Sequence, residues 1–392
     1  MDNLSEKYLF PSYCHIEEVS GSLATEQLSK EGVTDKFVLF NKNLKSMFFI
    51  NDSTKNFLGL FSEPKSPFEV MQELGIDPNI ANVENKEIVI KFLNAMIKRG
   101  FLIPELNNQN VEDKYLPAFP DYEIFETIKH SDFEAVCKAT NKKTKLKVVL
   151  KFLNFGDNVT EQTKTKRRSY FQQEFKIMSE LNDHPNICSI LHFETDKDLA
   201  VLELLNGKTL KEMIKGKEIS VSNKIYITNQ IVDTLAYVHS NGIVHGDIHA
   251  NQFIVNDSYQ LKLIDFGLAY HSNDSENQAI RRGGIHNYLE PENITPNAFS
   301  NVIEYVPNFR SEVYRIGALL YFLIYDNYPF ESFSWKQLCK LIQTEPPDFK
   351  DSFPNGYHID KIYITLLRKS LQKNPSERFA SAIEMKKYLN KK

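Results

Sequence analysis

The chain has 392 residues, 42% of them hydrophobic, which is enough for two or three domains with cores of their own. A net charge of -4 and a pI near 6.2 leave no general basic field, which speaks against a duplex nucleic-acid partner. Scattered cysteines (Cys14, Cys137, Cys188, Cys339), no basic-then-apolar N-terminus and no apolar run longer than residues 316–325 speak against disulfides, zinc, a secretion signal and a membrane span, so the cytoplasm is expected.

Residues 1–35 are weakly patterned and carry no prediction. Residues 36–105 read as a compact unit that opens with an apolar strand over 37–40, a polar turn over 41–45 and a second strand over 47–50, which together predict a hairpin. Asn51 or Asp52 offers an N-cap to a helix over 54–61, and Ser66 with Glu69 makes a capping-box pattern opening a helix over 67–74. An amphipathic helix is expected over 85–98, with Ile88, Ile90, Phe92, Leu93, Met96 and Ile97 broadly on one side. Gly100 stops it before an extended 101–103. Hairpin, three helices and a terminal strand suggest a winged-helix-like module. Residues 106–121, polar and then proline-bearing, read as a linker.

From 122 to 392 the pattern is strand-rich to about Leu153, helical to Leu181, and stranded again to Glu203. After Thr209 it is mostly helical, with short strands near Ile243, over 253–255 and over 261–264. A small mixed sheet with one prominent helix, followed by a mainly helical lobe, is the α+β, bilobal fold class that results. Transfer of a phosphoryl group needs a cation on the phosphates, oxygens for a metal, and a carboxylate near the attacking hydroxyl. Val148-Val149-Leu150-Lys151 is a β-rich run ending in lysine, and Glu174 lies in the following helix. His245-Gly246-Asp247 precedes the 253–255 strand and Asp265-Phe266-Gly267 follows the next one, so two acids flank one β-ribbon. Singly, an Asp-Phe-Gly is a turn and a Val-Val-Leu-Lys a strand end. Their joint order carries the signal.

That ordered set resembles the protein-kinase superfamily over some 260 residues, with Lys151 matching the β3 lysine, Glu174 its helix partner, Asp247 the catalytic-loop acid and Asp265 the metal-binding acid. Glu290-Pro291-Glu292 resembles the end of the activation segment, residues 311–317 resemble the start of the buried helix of the large lobe, and Arg378 sits where family members pair with that last glutamate. The resemblance implies ATP and Mg²⁺ as cofactors, with Lys151 on the α/β-phosphates, Glu174 fixing its ammonium, Asp265 on the metal and Asp247 orienting the acceptor hydroxyl. It places the nucleotide against Val136, Val149, Lys151, the hinge residues Glu203 and Leu205, and Ser131 of the phosphate-covering loop. Glu312 is expected to cap the buried helix and brace the catalytic loop, and His245 to pack structurally.

Three departures stand out. Aligned on Val136, residues 128–135 have no glycine at any of the three usual places, so close backbone approach to phosphate is harder, and Asp132 and Glu134 add negative charge that Lys129, His130 and Ser131 partly offset. Gln252 stands where the family has a metal-binding asparagine, its carbonyl one methylene further from the backbone. Gly246 replaces the arginine that reads a phosphorylated activation loop in many kinases, and His249 replaces the lysine common in Ser/Thr kinases, a pattern closer to aminoglycoside and choline phosphotransferases. With no arginine at 246, Ser272 and Ser275 read as ordinary loop serines rather than regulatory sites. The leading expectation is a Ser/Thr protein or peptide kinase, and the alternatives are a pseudokinase scaffold or a small-molecule phosphotransferase. Residues 36–104 resemble the peptide-recognition winged helices of the pyrroloquinoline-quinone synthesis protein D kind. That implies a leader peptide added as a strand at the hairpin edge and presented to the kinase.

Overall fold

The computed structural model describes residues 8–9, 14–18, 37–41, 46–50, 52–63, 65–73, 90, 92–97, 101–104 and 117 of the first part of the chain, and 119–131, 133–155, 159–274, 286–294, 306–332 and 335–391 of the rest. Residue contacts divide it into two compact units, Met1–Pro117 and Ala118–Lys392. In the first, β1 (Tyr8–Leu9), β2 (Cys14–Glu18), β3 (Phe37–Asn41) and β4 (Ser46–Ile50) are followed by α1 (Asp52–Gly59), α2 (Pro67–Glu73) and β5 (Ile103–Pro104). The predicted hairpin is β3–β4, each strand one residue longer than its apolar run, and β2 adds a third antiparallel strand on β3. β1 pairs with β5. Ser66 and Glu69 close the capping box that opens α2, with Glu69 Oε2 accepting the Ser66 amide at 2.7 Å and Ser66 Oγ accepting the Glu69 amide at 3.2 Å. Leu39, Leu58, Phe61, Val70, Met71, Leu93 and Phe101 form the unit's core. Of the helix expected over 85–98, residues 90 and 92–97 are helical and the remainder lies outside the described residues, as do Leu74 and the linker residues 106–116.

The second unit begins with β6 (Tyr122–His130), β7 (Glu134–Asn141), β8 (Lys147–Leu153), α3 (Glu161–Glu180), β9 (Ile190–Glu194) and β10 (Leu199–Glu203). The sheet runs β6-β7-β8-β10-β9. Expected to be mixed, it is antiparallel at every pairing. Short turns join β6 to β7, β7 to β8 and β9 to β10, and such turns return the chain antiparallel, whereas a parallel pair needs a long crossover. The 20-residue α3, capped by Thr160, buries Phe171, Glu174, Phe175 and Met178 at helical spacing. Glu174 thus lies on an otherwise apolar stripe.

The large lobe holds β11 (Lys208–Thr209), α4 (Leu210–Lys215), α5 (Val221–Ser240), β12 (Ile243–Val244), β13 (Phe253–Val255), β14 (Leu261–Leu263), β15 (Tyr270–His271), α6 (Phe309–Tyr325), α7 (Trp335–Thr344), α8 (Lys361–Ser370) and α9 (Ala382–Leu389). β13 pairs with β14 and β12 with β15, all antiparallel. The loops β12–β13 and β14–β15 therefore leave and return on two shared ribbons, which brings His245-Gly246-Asp247 beside Asp265-Phe266-Gly267. Helix α6 is buried all round from Ser311 to Tyr325 and is the lobe's central member. A Cβ on Gly317 would come within 2.8 Å of the Ser370 Cβ, so the glycine permits the close approach of α6 and α8. Asn308, not Glu312, caps α6, its Oδ1 accepting the amides of Arg310 and Ser311.

Candidate active site

Alternation along β8 sends Val148, Leu150 and Phe152 to the buried side and Val149 and Lys151 to the other. Cross-strand register puts Val136 and Ala200 opposite Lys151, Leu202 opposite Val149 and Glu134 opposite Leu153, so Val136, Glu134, Val149 and Lys151 share one face. Lys151 Nζ lies 2.6 Å from Glu174 Oε1, 3.6 Å from Asp265 Oδ1 and 4.0 Å from Glu134 Oε2. Burial works against its charge, but Asp265, Glu174 and Glu134 outweigh burial and hold the ammonium protonated well above the ordinary lysine range. Burial pushes the Glu174 carboxyl up to about 7, with Asp265 and Glu134 adding to the rise and Lys151 pulling against it. At 2.6 Å from the Lys151 ammonium, Glu174 forms an ion pair with it. Asp265 is also pushed up by burial, yet Lys151 and the Gly267 amide, 2.9 Å from Oδ1, bring it down to about 2.

Asp247 is braced on three sides: its amide donates to His245 Nδ1 at 3.2 Å, and Oδ2 lies 3.1 Å from Gln252 Nε2 and 3.4 Å from His249 Nε2. Burial raises its carboxyl, and the histidine contact outweighs burial and holds it below the usual carboxylate range. His249 Nδ1 accepts the Asn251 amide, which leaves Nε2 as the nitrogen facing Asp247. His245 is wholly buried with its ring 5.0 Å from that of Phe266, and burial lowers its basicity, so it packs as a neutral ring. Gln252 spends its amide nitrogen on Asp247, and its side-chain carbonyl is the oxygen left for a cation. Ionised Asp265 and that carbonyl are hard oxygen donors of the kind Mg²⁺ takes, and Lys151 is a cation for phosphate, so the residues fit ATP with a metal. Among the described residues no group of three or more His, Cys, Asp or Glu is arranged to hold a metal by itself.

Glu134 is the one discordant group. Counted back from Val136, the usual glycine places are Lys129, Ser131 and Glu134, and their side chains tie the loop together. Lys129 Nζ sits 2.5 Å from Glu134 Oε1, and Ser131 Oγ takes the Glu134 amide at 3.1 Å and donates to its carbonyl at 3.0 Å. Phe133 at the tip lies under the Arg167 guanidinium of α3 at 4.2 Å. Asp132 lies outside the described residues. At the hinge, Leu202 and Leu205 are half-buried against the core. The Glu203 carboxylate turns away to Lys262 at 2.5 Å and the Ser189 amide at 2.6 Å, a use the sequence reading missed.

Behind the site, Glu312 receives the amides of His245 at 3.0 Å and Gly246 at 2.7 Å, and His239 Nε2 at 3.0 Å. Arg378 grips Glu292 with two contacts of 2.7 Å. A wholly buried pair, Arg315 with Glu290, escaped sequence reading. Its signal was an arginine inside an apolar helix, which demands a partner without saying which.

An antiparallel sheet with one helix and a helical lobe, with a lysine–glutamate pair and two aspartates on neighbouring loops, define a phosphotransferase of the kinase type. Residues 122–390 match the family model of the protein kinase domain, and the chain belongs to the protein kinase family. It is 26% identical over 280 residues to a probable myosin light chain kinase of Dictyostelium discoideum, covering 69% of this chain and 81% of that one. The serine/threonine-protein kinase PrkC of Bacillus subtilis is 29% identical over 221 residues, covering 55% of this chain and 32% of its own, and a probable serine/threonine-protein kinase of Clostridium perfringens is 27% identical over 277, covering 67% and 37%. The chain thus spans about a third of the two bacterial relatives. It carries a protein serine/threonine kinase domain, of a family that uses ATP. No helix among the described residues is long and apolar enough to cross a membrane.

Proposed function

We propose that this chain phosphorylates Ser or Thr hydroxyls of a protein or peptide with ATP and Mg²⁺. The observation that carries the reading is Lys151 held 2.6 Å from Glu174 and 3.6 Å from Asp265, with Asp247 braced by Gln252 and His249 on the adjoining loop. Lys151 would hold the α/β-phosphates, Asp265 and the Gln252 carbonyl the Mg²⁺. Bound there, ATP supplies the phosphoryl group and the metal neutralises charge as it develops. Asp247 orients the acceptor hydroxyl and takes its proton late, while His249 and Gln252 hold the carboxylate still. Val136, Val149 and Leu205 furnish apolar contact for the base. Glu203 contributes main chain alone, its carboxylate being engaged by Lys262. Ser131 shapes the loop rather than donating to phosphate, since its hydroxyl is used on Glu134.

A protein acceptor is favoured over a small molecule by the Glu292–Arg378 framework beneath the substrate side. We assign peptide recognition to the first unit, as its resemblance to peptide-binding winged helices suggests. β2 already covers the outer edge of β3, so a leader peptide would add to β4, whose far edge pairs with no other described strand. The free thiols of Cys188 and Cys339 suit a reducing cytoplasm. The test is Mg²⁺-dependent ATP turnover and autophosphorylation by wild type beside Asp247→Ala and Asp265→Ala. Label on Ser or Thr in wild type, reduced about 1,000-fold or more in both variants, is expected. No turnover together with no nucleotide-induced melting shift would sink the reading.

A further inference from the structure

Arg315 is 2% exposed in the middle of α6, and a guanidinium cannot discard its charge, so its donors must be answered by other groups. Two separate segments answer them. Nε and Nη2 donate to the two carboxylate oxygens of wholly buried Glu290 at 2.8 and 3.1 Å, and Nη1 donates to the carbonyl of Gly246. Glu290 stands at the end of the activation segment, directly before Pro291-Glu292, and Gly246 directly before Asp247. One side chain therefore joins the activation segment to the residue beside the catalytic acid.

Position 246 itself has no side chain to make that link. Its φ is +82°, and a Cβ there would meet the Leu268 carbonyl oxygen at 2.5 Å, so the loop as folded admits only glycine. The catalytic loop presents no cation from this position to a phosphate on the segment. The cation comes instead from α6 below, and the anion it meets belongs to the segment itself.

We propose that Arg315 is a positioning residue that aligns Asp247 with the end of the activation segment, the buried Glu290 carboxylate supplying the anion that ties the segment to it. The proposal rests on the kinase reading above. It makes the enzyme competent without phosphorylation of Ser272 or Ser275, the two serines between Asp265 and Glu292.

The experiment compares the full chain with R315M/E290Q, which removes both charges, and with Arg315→Lys, which keeps the charge but loses the fork. For both, kcat should fall about 10- to 100-fold, as misplacement of a catalytic group does, with KM for ATP within about two-fold of wild type. Hydrogen exchange should quicken together at 245–248 and 287–292 in the double variant. Phosphatase-treated wild type and S272A/S275A should keep kcat within about two-fold. A double variant with wild-type kcat and exchange, or a wild type silenced by phosphatase, overturns the proposal. Absence of turnover in wild type would count against the kinase reading instead, and the exchange measurement would still decide whether Arg315 couples the two segments.

Discussion

Lys129 and Glu134 put opposite charges at two places where the family has glycine, and the charges close on each other at 2.5 Å. Glu134 also lies 4.0 Å from the Lys151 ammonium, so it competes for the cation that phosphate needs. Glu134→Gln should therefore lower KM for ATP by about two- to five-fold, whereas Lys129→Met, which frees Glu134 for Lys151, should raise it about ten-fold, the equivalent of about 1.4 kcal/mol. Initial rates against ATP concentration check both, and a raised KM in Glu134→Gln would mean that Glu134 serves to aim Lys129. At this scale the sequence was informative where charges stand in a recognisable order beside apolar runs, as at Lys151, Asp247 and Asp265. It was silent on pairs such as Arg315–Glu290, because partners 25 residues apart are chosen by packing.

Helix α6 reaches the catalytic loop through Glu312, whose carboxylate is the acceptor for two buried amides and the donor nitrogen of His239. Glu312→Ala leaves those buried donors unanswered at about 1–3 kcal/mol each, so a loss of roughly 3 kcal/mol or more is expected. That corresponds to a fall in Tm of about 6 °C or more by calorimetry for a unit of this size, and an unchanged Tm would show that water or a repacked loop answers them. The elements with a clear pattern were legible: β8 and the hairpin by their apolar runs, α3 by its amphipathic spacing. Helix α6 is apolar on all sides, so its start had no amphipathic edge to mark it, and the true cap, Asn308, lies three residues before the expected start at Ser311. β2 has only Cys14 and Ile16 as apolar residues in five positions, too little alternation to signal a strand.

The described residues form two hydrophobic cores that share no residue: one built from Cys14 to Leu102, the other from Phe171 onward. A chain restricted to 118–392 should therefore melt cooperatively and keep Mg²⁺-dependent ATP turnover within about three-fold of full length. If peptide recognition resides in the first unit, the same truncation should raise KM for a leader-bearing substrate about ten-fold or more while sparing KM for ATP. Equal values for both proteins would remove the first unit from substrate selection. At this scale the order of motifs from Lys151 to Arg378 was enough for the fold class of the second unit. Strand direction in its sheet was not, since apolar runs do not say which neighbour a strand will choose.

The carboxylate of Glu134 also alters what else can occupy the nucleotide pocket. In a loop built on glycine this place offers only backbone, which an inhibitor cannot grip by charge. Here a ligand that carries an amine onto the Glu134 carboxylate in place of the Lys129 ammonium would meet a half-buried anion and make a charged hydrogen bond of about 1.5–3 kcal/mol, less whatever the displaced Lys129 contact contributed. The same amine would find no partner in a glycine-loop relative, so the feature that handicaps ATP is a handle for selective inhibition.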